Sequence, residues 1–177
     1  MGRRIGLHFI ITGVQVLLCT LLLLIPDPAG RVIAMFAPGL FFAVLAGVLS
    51  GPVFAAFTGI LPTLFCYFLL GRPPLLPDAA AEMLCLASSG ILAGVFTGMY
   101  RAPGAGAVLG VLGGRIVLGA AMLVYDFVTR DSYTLLRYLE DAYLSCWPGI
   151  VLAVIGTPAV YLGLRRAGLV KRLQSDR

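Results

Sequence analysis

Charge is scarce in this chain. Only 12% of its residues are Asp, Glu, Lys or Arg, where a soluble domain carries about 25%. So few charged side chains cannot cover a water-facing globule, and an ordinary soluble domain is excluded. Histidine occurs once, at His8. No group of His, Cys, Asp and Glu has metal-ligand spacing, so the sequence suggests neither a metal nor another cofactor. A phosphate-binding loop is missing, and Gly104-Ala105-Gly106 opens a dinucleotide fingerprint that nothing completes. The four cysteines, Cys19, Cys66, Cys85 and Cys146, each stand alone in apolar stretches without a CxxC pair. They read as buried thiols.

Apolar residues are what the chain has in quantity. They make up 60% of its 177 residues and gather into long runs between short polar joints. A run of about 18 or more apolar residues reads as a membrane-spanning helix. The pattern predicts an all-α integral membrane protein, one domain with a compact bundle of six spans. The spans fall at about 7–25, 31–49, 53–70, 79–100, 105–128 and 143–164. Pro26-Asp27-Pro28, Ser50-Gly51-Pro52, the joint 71–78 and Arg101-Ala102-Pro103-Gly104 separate them, since proline cannot continue a helix. The polar segment 129–142 leaves room for a short surface helix. The first run is too long for a typical signal core and lacks a small-x-small cleavage site, so it is expected to be retained.

The net charge of +5 does not point to nucleic acid, because the basic residues sit at helix ends. With the N-terminus in the cytoplasm, the inner side receives Arg3, Arg4, Arg101, Arg165, Arg166, Lys171, Arg172 and Arg177. Asp176 is the only acid there, whereas the outer joints carry mixed charge. That asymmetry fits six spans with both termini cytoplasmic.

Small residues recur at helical spacing. Ala43, Gly47 and Gly51 form one stripe, Gly90, Gly94 and Gly98 a second, and Gly106, Gly110 and Gly114 a third. Such stripes let helices approach closely in lipid. They serve either internal packing or contact with another membrane subunit.

A search for catalytic sets finds little. An intramembrane serine protease needs a serine and a histidine facing each other at depth. Nothing in the sequence sets His8 beside Ser88 or Ser89, and no catalytic residue is assigned. A few ionisable residues inside apolar helices stand out instead. Glu82 opens the fourth span, Arg115 lies near the middle of the fifth, and Asp126 lies near its outer end. A charge at the bilayer centre costs at least about 2.5–3.5 kcal/mol, so it should face a protein interior, a partner or a cavity. Arg115 and Asp126 lie about three turns apart and should share one side of their helix. These charges either bind a ligand or pair with one another, as Glu82 with Arg115 would. Free N–H groups at the start of the fourth span, together with Arg115, would suit an anionic ligand. Tyr67, Tyr125, Tyr133, Tyr138, Tyr143 and Trp147 gather at the outer helix ends. They form an interfacial belt or a stacking surface for a ring-containing ligand.

Several short motifs follow one another at recognisable spacing. They are the Gly51-Pro52 break, the joint Leu-Leu-Gly-Arg-Pro-Pro-Leu-Leu-Pro over 69–77, and Ala-Glu-Met-Leu over 81–84. Ser-Gly-Ile-Leu-Ala-Gly over 89–94 and Gly-Gly-Arg-Ile-Val-Leu-Gly over 113–119 complete the series. In this order the sequence resembles the substrate-binding subunit, or S-component, of an energy-coupling factor vitamin transporter. The resemblance is best over 43–122. It departs on the first helix, where Phe9 and Gly13 stand in place of an Ala-x-x-x-Ala docking face.

The resemblance implies a non-enzymatic protein of the bacterial plasma membrane. It would capture a vitamin-like molecule from outside and deliver it to a transmembrane coupling subunit and two ATPases. The residues expected to line the site are Glu82, Arg115, Asp126, Trp147, Tyr67, Tyr125 and Arg72. They lie in the outer half of the bundle, around the joint 71–78 and spans four to six. The competing expectations are a structural or assembly subunit of an envelope complex and an intramembrane enzyme.

Overall fold

The structure, a computed structural model, describes residues 2–25, 36–71, 75–129 and 139–168. Among these residues there is helix and no strand. The helices are α1 (Gly2–Leu23), α2 (Pro38–Ser50), α3 (Pro52–Leu70), α4 (Ala80–Tyr100), α5 (Pro103–Thr129) and α6 (Trp147–Arg166). All except α2 are long and apolar enough to cross a bilayer. The chain is thus an all-α, multi-pass membrane bundle.

The outward faces of these helices carry large apolar side chains such as Phe9, Leu17, Phe68, Ile116 and Phe127. Water would not tolerate so many, but lipid tails are their natural solvent. Helix α2 is the opposite case: eleven of its thirteen residues are buried. It is the pin of the bundle, with Leu40, Val44 and Val48 fully enclosed. At about 1.5 Å per residue it spans about 20 Å, less than the roughly 30 Å hydrocarbon core.

Its start corrects the second span expected at 31–49. Residues 26–35 lie outside the described residues, but Phe36 and Ala37 are not helical and the helix begins at Pro38. The reason is steric, because proline pushes the residue before it out of the right-handed helical region. Ala37 lies outside that region, in the left-handed conformation with φ 41°.

Single-residue corners fix how neighbouring helices meet. Gly51 alone joins α2 to α3 at φ 96°, and its N–H closes onto the carbonyls of Ala46 and Gly47. Small residues then set the contact distances. A side chain on Gly47 would strike the Gly90 carbonyl of α4. One on Gly90 would come within 2.7 Å of the Ala43 carbonyl, and one on Gly110 within 2.6 Å of the Ser89 carbonyl. Helix α4 is therefore gripped by α2 on one side and α5 on the other. The stripes serve internal packing. Gly98, where an added Cβ would meet nothing, is the exception.

Helix α6 is less regular. A wide turn over Glu140–Leu144 leads towards it, and a second, Leu152–Gly156, interrupts it before Thr157–Arg166. Its first turn seats on the approach to α2, because a Cβ on Gly149 would collide with the Phe36 carbonyl and lie 2.7 Å from the Ala37 Cβ. This contact brings Cys146 and Ala37 to one end of the bundle. The opposite end holds the α2–α3 corner, the close of α4 and Pro158, which faces Gly104.

Candidate functional site

At the end of the bundle away from the α2–α3 corner lies a cavity of about 330 Å³. Six segments build it. Helix α1 contributes Leu23, and the start of α2 contributes Ala37 through Leu40. The turn before α4 contributes Asp78, and α4 itself Ala81, Glu82, Cys85 and Leu86. Helix α5 adds Arg115, Leu118 and Met122, and Cys146 closes the wall ahead of α6. The lining is mostly apolar, with Asp78, Glu82 and Arg115 as its charged members.

Arg115 lies one residue from the middle of α5 and is only 6% exposed. Such a side chain at membrane depth needs an inward partner. Its Nη2 donates to the Cys146 sulfur over 3.0 Å, and the guanidinium has further interactions besides. The residue beside it makes this placement sterically accessible. Gly114 lies so close to Ser89 and the Cys85 carbonyl that any Cβ would collide with them, which draws α5 against α4 just where Arg115 turns inward.

Glu82 is partly buried and opens onto the same cavity from the first turn of α4. The two side chains feel each other's charge but form no ion pair. The chain arrives at α4 already coiled, since Ala79 has helical angles (φ −64°, ψ −38°). The start of α4 is thus not the open N-terminus expected to offer N–H groups to a ligand. Ahead of it, Leu76 is extended inside the wide turn Leu75–Ala79 (φ −124°, ψ 133°), and this kink leaves Asp78 exposed at the cavity rim.

The other residues expected at the site are distributed differently. Tyr125 lines a separate, apolar groove between α4 and α5, with Leu84, Val117 and Val128. Asp126 is partly buried near the end of α5, away from the cavity lining, and makes its own interactions. Eleven residues on from Arg115 are about three turns of the continuous helix α5, so Asp126 shares Arg115's side of the helix but lies beyond the cavity lining. Tyr67 packs edge-on against Phe68 at the end of α3. Trp147 is 59% exposed on the surface. Arg72 lies outside the described residues, as do Tyr133 and Tyr138.

Sequence reasoning missed the walls from α1 and α2, and it missed Cys85 and Cys146 as lining residues. Only the apolar setting of the two cysteines was visible in the sequence. His8 stacks on Phe54 with ring centroids 5.4 Å apart, at the other end of the bundle from the cavity. The Ser88 and Ser89 hydroxyls both bond carbonyls of their own helix, Ser89 to Cys85 at 2.7 Å. Among the described residues no group of three or more His, Cys, Asp or Glu side chains is placed to hold a metal ion.

Comparison of the chain with protein-family models, with curated proteins and with solved structures finds no match.

Proposed function

We propose that this protein is the substrate-capture subunit of a membrane importer, of the kind its motifs resemble. In this reading it sits in a bacterial plasma membrane with both termini cytoplasmic. It takes a vitamin-like small molecule into the cavity from outside. It then passes that cargo to a transmembrane coupling subunit powered by two ATPases, and does no chemistry of its own.

One observation carries the reading. Glu82 and Arg115, two ionisable side chains at membrane depth, open onto one mostly apolar cavity without closing on each other. A pair whose only task was to hold helices together would have formed its ion pair and left no space. A cavity of 330 Å³ stands at the small end of ligand pockets, which run to about 300–1,000 Å³ and combine apolar walls with a few convergent polar groups. The motif series over 43–122 adds the transport context, and the basic helix ends add the orientation.

The test is mass spectrometry of small molecules released from the purified, folded protein. The reading predicts one compound in near-stoichiometric amount. A folded preparation that carries nothing, and that no vitamin-like compound stabilises against heat, argues for a purely structural subunit.

A further inference from the structure

The cavity's polar groups differ in what they still have to offer an occupant. Arg115 commits a donor to Cys146 and has other interactions as well. The α2 N-terminus reaches the cavity, but the N–H groups of Leu40 and Phe41 both turn back to the Ala37 carbonyl, at 2.9 and 3.3 Å. Among the described residues the Arg115 Nε–H has no acceptor but is enclosed by the packing, so the positive groups that reach the open space are largely engaged within the chain. Glu82 is not: among the described residues its carboxyl receives no hydrogen bond and forms no ion pair, and it faces the open space. Asp78 stands exposed at the rim of the same cavity. The described lining therefore carries two carboxyls against one guanidinium. An ionised carboxylate in an apolar setting is strongly disfavoured unless a donor or a cation meets it.

We infer that the cavity's occupant is a small molecule with a cationic or N–H-donating head, held by Glu82, and an apolar body. This rests on the reading of the cavity as a capture site and gives it a ligand class. The head docks on Glu82, with Asp78 attracting it at the rim. The body lies against Leu23, Leu40, Leu86, Leu118 and Met122. Arg115 holds the wall together through Cys146 and does not serve as the ligand's counter-ion. The anionic ligand suggested by Arg115 in the sequence is replaced by its opposite.

Three probes of one size separate the alternatives: benzylammonium, benzoate and benzyl alcohol, titrated into the protein in nanodiscs with thermal stability and heat of binding as readouts. Wild type should bind benzylammonium about tenfold to a hundredfold more tightly than benzoate, as a hydrogen bond to a charged group is worth. Glu82→Gln should abolish that preference and leave benzyl alcohol unchanged, and Glu82→Asp should keep part of it. A preference for benzoate, a preference that survives Glu82→Gln, or no binding of any probe by wild type overturns the inference. The compound that copurifies distinguishes this failure from failure of the capture reading. An anionic compound without a cationic head sinks the ligand class alone, whereas no compound and no probe binding sinks both.

Discussion

Arg115 on α5 and Cys146 ahead of α6 are joined by a 3.0 Å hydrogen bond across 31 positions of sequence, and this bond closes one wall of the cavity. It ties the irregular start of α6 to α5, the longest of the described helices. Cys146 and Ala37 line the same cavity, the first held by this bond and the second by the close seat of Gly149 against it.

Arg115→Lys should therefore loosen that wall. Lysine keeps the charge but has neither the reach nor the planar fork of arginine. Losing a hydrogen bond from a charged group should destabilise the protein by about 1.5–3 kcal/mol. A thermal melt in detergent checks this, with Trp147→Phe, an exposed change, expected to stay within about 0.5 kcal/mol.

Helix packing gives a second contrast. Gly47→Ala drives a methyl into the Gly90 backbone, which cannot step aside. It should cost about 1–3 kcal/mol or prevent folding. Gly98→Ala meets open space and should be neutral or stabilising by up to about 1 kcal/mol, the helix-propensity difference. Equal melting temperatures for the two variants would refute the packing account.

These glycines were legible in the sequence because spacing by four is a periodic signal and their cause, close helix approach, is local to a helix face. Glu82 and Arg115 were legible for a similar reason, as each is a charge inside an apolar run. What could not be read was tertiary. Leu23 and Leu40 are ordinary apolar residues until folding brings them to the cavity, and nothing in the sequence links Cys146 to Arg115. The late start of α2 was legible in principle: Pro38 marks it, but an apolar run on both sides hides a break that hydropathy does not weigh. The wide turn Leu152–Gly156 has no marker of its own, since its residues would suit an unbroken helix equally well.

Membrane orientation is a third expectation. Reporter fusions after the C-terminus and within the joint 71–78 should fall on opposite sides, with the C-terminus inside. Both reporters on one side would rule out the six-span arrangement.

Cavity access is a fourth. Cys85 and Cys146 both line the cavity, but Cys146 is only partly buried, whereas Cys85, like Cys19 and Cys66, is buried. A membrane-impermeant maleimide added outside intact cells should label Cys146 and spare the other three. Labelling from the cytoplasmic side alone would show that the cavity opens inward.

The most direct measurement of capture is the amount of copurified small molecule per folded protein across a short substitution series. Wild type and Trp147→Ala should carry it equally, because the Trp147 side chain is exposed on the surface and is not part of the cavity lining. Glu82→Gln should lose at least about tenfold in occupancy under dilution, the loss expected from one charge-assisted contact. Arg115→Met should lose occupancy too, through the wall that it holds. If all four proteins fold and carry the same amount, the cavity is not the capture site and its charged residues are structural.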